Sequence, residues 1–411
     1  MKFGLLGRTL GHSFSPRIHN ALGNTNYELF EREPSQLQEF FANPELQGIN
    51  ITFPYKVNAL EACDVVDPRA ERIGCVNTMV RKDGKWHGYN TDYDGFVFTL
   101  KHAGIDVSGK ECIILGDGAS SATVHVALED LGAKSITHLS RKTAPLYTDA
   151  PNYYETAQII INCTPIGMYP HNPASLMDIM QFSKLEGVVD LIYNPRRTVL
   201  LLQAEMMDIP HCDGLPFLVA QGVEAANHFQ GESFGTKEIE QILRDMRREK
   251  ENIILIGMPG VGKTTVGKAI GKEMGRTCID VDQELAKEIG DISTYITEQG
   301  EAAFRKKEAD MIAKLGTETG LVISTGGGCV TVPKNYAHLR QNGRIYQLTQ
   351  PVEKLSTSGR VLSGGGIERL RELEETRTPM YESFAQCIVE HNRNAPKTVA
   401  AILEDFEANL L

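Results

Sequence analysis

The apolar run Asn252-Ile253-Ile254-Leu255-Ile256 leads directly into Gly257-Met258-Pro259-Gly260-Val261-Gly262-Lys263-Thr264. This is the spacing G-x-x-x-x-G-K-[ST], and Thr265–Met274 after it reads as a helix. Strand, glycine loop and helix in that order require an α/β layer with the strand buried inside it. The glycines let backbone N–H groups curl around phosphate oxygens, and the helix N-terminus adds favourable partial charge. Gly260, Val261, Gly262, Lys263, Thr264 and Thr265 are therefore expected to hold a nucleoside triphosphate. Lys263 would reach its terminal phosphates, and the Thr264 hydroxyl would ligate Mg²⁺.

A chain of 411 residues is too long for one such layer, and its length favours two or three domains. Short apolar runs at 3–6, 48–52, 111–115, 135–139, 158–162 and 188–192 alternate with helix-period segments, the pattern of α/β domains with largely parallel sheets. The stretch 236–251 differs: it is highly charged, with apolar residues only at Ile239, Ile242, Leu243 and Met246. It reads as a helical connector, with the main boundary near residue 245. The net charge of −11 lacks the basic excess of a nucleic-acid binder. No apolar run is long enough to span a membrane, and the N-terminus has no signal-peptide pattern. The eight cysteines are scattered without a C-x-x-C pair, which suits reduced thiols in a cytoplasm.

Downstream of the glycine loop, Asp280-Val281-Asp282 closes a short run at 277–279. Two alternating carboxylates at a strand end would point to opposite sides, one to the metal and one to a substrate hydroxyl. Phe304-Arg305-Lys306-Lys307-Glu308, the triple glycine Gly326-Gly327-Gly328, Arg360, Arg377-Thr378-Pro379-Met380-Tyr381 and Asn392-Arg393 follow. With the glycine loop, these residues resemble the shikimate kinases over essentially all of 252–411. The resemblance implies that Asp282, Arg305, Gly327 and Arg377 hold shikimate, the arginines pairing its carboxylate. It implies further that Asp282 deprotonates the 3-hydroxyl, that Asp280 acts near Mg²⁺, and that Arg360 and Arg393 close over ATP. The segment after Arg360, Val361-Leu362-Ser363 and three glycines, departs from the family's Arg-Pro-Leu and implies a more mobile lid.

In the first half, Gly116-Asp117-Gly118 follows the run at 111–115 and precedes a helical segment, suggesting a dinucleotide turn. Arg141 and Lys142 end the next apolar run, where a basic residue meets the 2′-phosphate of NADP. The sets His12-Ser13-Phe14-Ser15-Pro16, Asn50-Ile51-Thr52-Phe53-Pro54-Tyr55-Lys56, Cys75-Val76-Asn77-Thr78 and Asn90-Thr91-Asp92 come in that order. With Asn162–Met168, Asp190–Pro195 and Gly214–Gln221, they resemble the shikimate dehydrogenases across residues 1–235. The implied chemistry is reduction of 3-dehydroshikimate by NADPH, with Lys56 supplying the proton and Asp92 orienting its ammonium. Ser13 and Ser15 would bind the substrate carboxylate, and Asn50, Thr52, Asn77, Thr91, Tyr193 and Gln221 its hydroxyls and keto oxygen. Gly116, Gly118, Ala119, Arg141, Lys142, Thr164, Leu191 and Gly214 would bind the cofactor. Asp117, Ser140 and the short interval from Arg141 to Asn162 depart from the family on the cofactor side only. His12, His19 and His87 lack metal-ligand spacing and are expected to be structural or surface residues.

The expected architecture is an α/β dehydrogenase of two domains followed by a P-loop kinase domain with a parallel sheet. Its substrate domain would be 1–95, completed by a helix at 217–235; its Rossmann domain 96–216; the connector 236–251; the kinase 252–411. The expected function is bifunctional: shikimate made with NADPH, then phosphorylated with ATP and Mg²⁺. Small molecules are the only expected partners, without nucleic acid or membrane, and the oligomeric state is not legible. Two alternatives stay open, a first half acting on quinate and a first half that is a weakly active shikimate-binding module.

Overall fold

The computed structural model describes residues 2–11, 13–170, 172–356, 366–392 and 394–411. His12, Arg360, the lid residues up to Gly365, and Arg393 lie outside the described residues. The chain divides into two compact units, Met1–Leu243 and Arg244–Leu411. Among the described residues no helix is long and apolar enough to cross a membrane.

The first unit contains two sheets. One is built from β1 (Lys2–Gly7), β2 (Tyr27–Glu31), β3 (Leu46–Ile51), β4 (Val65–Val66), β5 (Thr78–Lys82) and β6 (Lys85–Tyr89). Their order is β2-β1-β3-β5-β6-β4, with β1 parallel to β2 and β3, and β5 antiparallel to β3 and β6. Gly48, Ile49, Asn50 and Ile51 of β3 are all buried, so the polar Asn50 is carried inside the fold. The antiparallel neighbour sets the start of β5 opposite Asn50: Thr78 is its register partner.

The other sheet holds β7 (Glu111–Leu115), β8 (Ser135–Leu139), β9 (Ile159–Asn162), β10 (Gly187–Asp190) and β11 (His211–Cys212). All pairings are parallel, in the order β11-β10-β9-β7-β8. Ile113, Ile114, Ile160, Ile161, Val188 and Val189 are each at most 1% exposed, as expected of strands covered on both faces. β8 and β9 flank β7 on opposite sides, so the direction of winding reverses at the carboxyl end of β7, where ligands bind in open α/β sheets. Between β8 and β9 the chain runs through a 3₁₀ segment, Tyr147–Tyr153, without an α-helix. The helix Asp92–Ala103 crosses position 95/96, and the helix read at 217–235 spans Leu215–Gln230 and ends at Gly231 with φ +68°. These two helices pack tightly: a Cβ on Gly95 would lie 2.8 Å from the Phe217 carbonyl oxygen.

The second unit has β12 (Asn252–Gly257), β13 (Cys278–Asp280), β14 (Val322–Ser324), β15 (Gly343–Thr349) and β16 (Cys387–Glu390). They form an all-parallel sheet in the order β13-β14-β12-β15-β16. β12 is central and buried at all six positions, so the glycine loop opens at the middle of the sheet's carboxyl edge. The charged helix Thr236–Lys250 is divided between the units at 243/244. Its last two turns belong to the second unit. Arg244 and Arg247 each donate at 3.1 Å to the carbonyls of Glu407 and Leu410, and Arg248 pairs with Glu407 at 2.7 Å. The Glu407 carbonyl lies in the last turn of the helix Ala395–Ala408 and Leu410 just beyond it, where cations complement the unsatisfied backbone oxygens.

Candidate active sites

Lys56 starts the helix Lys56–Ala62 and Asp92 the helix Asp92–Ala103. Lys56 Nζ donates to Asp92 Oδ2 at 2.5 Å, with side-chain exposures of only 14% and 5%. Burial works against the ammonium, but the Asp92 charge and hydrogen bond outweigh it, so the Lys56 pKa lies above its ordinary value. The other Asp92 oxygen accepts from Asn77 Nδ2 at 2.9 Å. Asn77 is itself oriented by the Thr91 N–H, which donates to its Oδ1 at 2.8 Å. A protonated amine is thus held in one place by a buried, hydrogen-bonded carboxylate. Such a pair can deliver a proton to a developing alkoxide or take one from a hydroxyl.

Ser15 opens the helix Ser15–Ala21, and its hydroxyl accepts from Ser13 Oγ at 3.2 Å. Asn50 receives the Tyr27 hydroxyl at 2.7 Å and donates to Thr78 Oγ1 at 3.0 Å. Thr78 Oγ1 in turn lies 3.1 Å from Asn77 Oδ1. The structure therefore connects Asn50, Asn77, Thr91, Asp92 and Lys56 through direct hydrogen bonds. Thr52, Tyr193 and Gln221 stand outside that connected set. The Thr52 N–H donates to the Leu6 carbonyl, the Tyr193 ring lies 5.4 Å from Phe14 with burial raising its hydroxyl pKa, and the Gln221 amide donates to the Leu218 carbonyl. His19 is buried and bonded to Asn50 at 3.1 Å. His87 lies in β6. Tyr27 carries no sequence signal beyond its place at a strand start, and Thr78, although it closes the Cys75–Thr78 set, is given no role by that set.

On the cofactor side, Gly116 follows β7 with φ +113°, a conformation that L side chains rarely adopt. A Cβ there would come within 3.2 Å of Thr164 Cγ2. Gly118 precedes the helix Ala119–Asp130, so bare backbone leads into a helix N-terminus. Thr164 Oγ1 donates to Asn162 Oδ1 at 2.7 Å, and Asn162 Nδ2 donates to Asp190 Oδ1 at 3.0 Å. Asp190 is fully buried and also accepts from the Ile192 N–H and the Thr198 hydroxyl. Burial pushes its pKa up to about 7 against the pull of those bonds. Gly214 lies directly against the Leu191 carbonyl, and its N–H donates to the Ile192 carbonyl at 2.9 Å. Arg141 and Lys142 are exposed beyond β8, in a loop folded around the Ser140 hydroxyl, which accepts from the N–H groups of Lys142 and Thr143. Asp117 is exposed rather than buried against the turn. Glycine turn, helix N-terminus and basic pair suit a phosphorylated dinucleotide.

In the second unit, Val261 is buried within the loop and Gly262 leads into the helix Lys263–Met274, which contains Thr264 and Thr265. Lys263 Nζ donates to the carbonyls of Gly257 and Met258 at 2.8 and 3.1 Å. Thr264 Oγ1 donates to Asp280 Oδ2 at 2.5 Å. The two aspartates are not alternating positions of a strand. Asp280 ends β13 and caps the helix Val281–Ile289, its Oδ1 accepting the Gln283 N–H at 3.2 Å, while Asp282 sits in the helix's first turn. The helix start is what separates their directions: Asp280 meets the P-loop, and Asp282 meets the triple-glycine loop at Gly326. Among the described residues no group of three or more His, Cys, Asp or Glu forms a ready-made metal site. One hydroxyl beside one carboxylate suits Mg²⁺, which keeps waters and is held largely through phosphates.

Four neighbours press on the triple-glycine loop. A Cβ on Gly326 would meet Glu308 and Asp282, on Gly327 the Pro259 ring, and on Gly328 the Arg305 guanidinium. The Gly327 carbonyl accepts from Arg377 Nη1 at 3.0 Å and from the Tyr381 hydroxyl. Arg305 is braced by Glu308 at 2.7 Å and Glu301 at 3.0 Å. Burial raises the Glu308 pKa even though Arg305 pulls it down. Asp282, Arg305, Gly327 and Arg377 thus converge on one loop, beside Pro259 of the phosphate-binding loop. Sequence reasoning does not single out Glu308 and Tyr381; the i, i+3 spacing of Arg305 and Glu308 on a helix is the available signal.

Comparison with known proteins places both units in families. Residues 259–407 match the family model of shikimate kinase, and residues 5–79 that of the shikimate dehydrogenase substrate-binding domain. A shikimate dehydrogenase (NADP(+)) of Clostridium perfringens is 34% identical over 265 residues, covering 60% of this chain and 98% of that protein. One from Shouchella clausii is 32% identical over 269 residues, covering 59% of this chain and 98% of its own length. Among solved structures, a chorismate mutase/shikimate 5-dehydrogenase fusion protein from Clostridium acetobutylicum has 32% identity and a TM-score of 0.56, covering 59% of this chain and 96% of that one. Shikimate 5-dehydrogenase from Thermus thermophilus, solved in complex with NADP(H) and shikimate, has 29% identity and a TM-score of 0.53, covering 60% of this chain and 99% of that one. The chain therefore belongs to the shikimate dehydrogenase family over about 60% of its length and carries a shikimate kinase domain at residues 259–407.

Proposed function

We propose that this chain catalyses two successive reactions, the NADPH-dependent reduction of 3-dehydroshikimate to shikimate and the ATP-dependent phosphorylation of shikimate to shikimate 3-phosphate. The observation that carries the first is the buried Lys56–Asp92 pair at 2.5 Å. NADPH, when bound, supplies the hydride; Lys56 supplies the proton to the oxygen on the reduced carbon, and Asp92 steadies the amine. Asn77 and Thr91 fix the pair, and Asn50 belongs to the same hydrogen-bonded set. Ser13 and Ser15 offer hydroxyls to the substrate carboxylate, and Thr52, Tyr193 and Gln221 complete the pocket. Arg141 and Lys142, both exposed, favour the cofactor with a 2′-phosphate.

In the second reaction Arg305 and Arg377 hold the carboxylate of shikimate, and Asp282 accepts the proton of its reacting hydroxyl. Lys263 would hold phosphate oxygens in place of its loop carbonyls, and Thr264 and Asp280 would hold Mg²⁺ directly or through water. The test is a pair of assays on the purified chain: NADP⁺ reduction with shikimate, and ADP formation with shikimate and ATP. Both are expected in the wild type. Lys56→Ala is expected to abolish only the first, and Asp282→Ala only the second. Wild-type chain inactive in either assay contradicts that half of the proposal.

A further inference from the structure

The connected polar set around Lys56 continues past the residues that the dehydrogenase chemistry needs, and it has a direction. Asn77 provides the fixed end. The Thr91 backbone N–H can only donate, and it donates to Asn77 Oδ1, while the Asp92 carboxylate receives Asn77 Nδ2. Thr78 Oγ1 lies 3.1 Å from Asn77 Oδ1, which can only accept, and 3.2 Å from Thr91 Oγ1, so its single proton is spent on that side. With that proton committed to the Asn77–Thr91 side, Thr78 accepts from Asn50, whose Nδ2 faces it at 3.0 Å. The Asn50 oxygen then points the opposite way, where it accepts the Tyr27 hydroxyl at 2.7 Å and His19 Nε2 at 3.1 Å.

His19 fits only this polarity. Its ring is 1% exposed and stacks on Tyr27 with centroids 4.0 Å apart, and Phe229 lies 5.4 Å away. Burial lowers its pKa to about 3, so the ring is neutral. Its Nδ1 is buried without a partner, which is tolerable for a bare lone pair; Nε2 therefore carries the hydrogen. Burial raises the Tyr27 pKa and the Ser15 side chain pulls against it, so the serine pair lies beside the same set.

We infer that Thr78, Tyr27 and His19 are positioning residues of the dehydrogenase site, which fix Asn50 as a hydrogen-bond donor towards the substrate and not an acceptor. None of the three needs to touch substrate for this. An amide held as a donor favours oxygens that accept, a carboxylate or a carbonyl, and discriminates against a group that can only donate. The inference rests on the dehydrogenase reading of this pocket.

The test compares Thr78→Val, which keeps the shape and removes the hydroxyl, with Thr78→Ser, which keeps the hydroxyl. Shikimate oxidation by NADP⁺ is measured as KM and kcat separately. Thr78→Val is expected to raise the KM for shikimate about tenfold, the scale of one hydrogen bond made uncertain in direction, with kcat within about twofold. Thr78→Ser is expected to restore the wild-type KM. Tyr27→Phe, which retains the ring against His19, is expected to raise KM in the same way and guards against misfolding of the valine variant. Equal KM values in Thr78→Val and Thr78→Ser, or a loss confined to kcat in all variants, overturn the inference while the dehydrogenase reading stands. Absence of shikimate oxidation by the wild-type chain overturns both.

Discussion

At Lys56 two influences oppose each other, burial and the Asp92 charge, and the charge prevails. A raised pKa keeps the ammonium protonated across neutral pH, which is the form required to protonate an alkoxide. The two reaction directions should therefore differ in pH dependence. Reduction of 3-dehydroshikimate is expected to be flat through neutrality and to fall only above the ordinary lysine range, whereas shikimate oxidation, which needs the free amine, climbs through that range. Rate profiles in both directions check this, and a shared inflection near neutrality would contradict it. Lys56→Ala is expected to lower kcat by roughly 10²- to 10⁴-fold. At Gly328 the constraint is steric: a methyl group placed there runs into the Arg305 guanidinium and must displace it. Gly328→Ala is expected to raise the kinase KM for shikimate by about 10- to 100-fold, the loss of a charge-assisted contact, while the KM for ATP changes little. Phosphorylation kinetics at varied shikimate separate the two constants. Lys56, Asp92 and Arg305 are legible in sequence because each sits in a motif of distinctive local order. The contacts of Thr78 and Tyr27 with Asn50 are not, because strands β5 and β2 bring them together from 28 and 23 residues away.

Among the elements, the end of β10 is the most sensitive to pH. Asp190 closes that strand, accepts three hydrogen bonds and, through Asn162, orients Thr164 beside the Gly116 turn. Its folded pKa of about 7 exceeds the ordinary value of 3.8, so the folded state retains a proton that the unfolded chain releases first. Its contribution to stability is therefore full in acid and is lost as pH rises between those two values. Asp190→Asn removes this titration. Relative to wild type, the variant is expected to gain a few kcal/mol between about pH 4.5 and pH 7.5. Urea unfolding of both proteins at the two pH values measures the double difference; no change with pH would contradict it. The apolar runs that form β7 and β12 are readable because parallel strands buried on both faces must be largely apolar. The Asp280–Asp282 segment departs from the strand alternation expected of it because β13 is only three residues long: the helix begins at Val281, so helical geometry directs the second carboxylate.

At the scale of the whole molecule, the charged helix Thr236–Lys250 has the composition of a spacer. Composition shows its charge but not its partners, which lie more than 150 residues downstream. Arg244, Arg247 and Arg248 bind the last carbonyls and Glu407 at the end of the chain, and Met246 is 1% exposed. A kinase fragment beginning at residue 252 lacks all of these groups. It is expected to be less stable than one beginning at residue 236 by at least about 2 kcal/mol, the sum of two such hydrogen bonds and a buried side chain. Denaturant midpoints of the two fragments decide it, and equal midpoints would show that the helix adds nothing to the second unit.

Under the proposed function both units take the same small acid, and the product of the first site would be the substrate of the second. The most direct measurement supplies the purified chain with 3-dehydroshikimate, NADPH, ATP and Mg²⁺ and follows the products by chromatography. Shikimate 3-phosphate is expected from the wild type, unchanged 3-dehydroshikimate from Lys56→Ala, and accumulated shikimate from Asp282→Ala. Phosphorylation of added shikimate without any reduction of 3-dehydroshikimate by the wild type would contradict the two-reaction proposal and leave the first unit without the activity its site is built for.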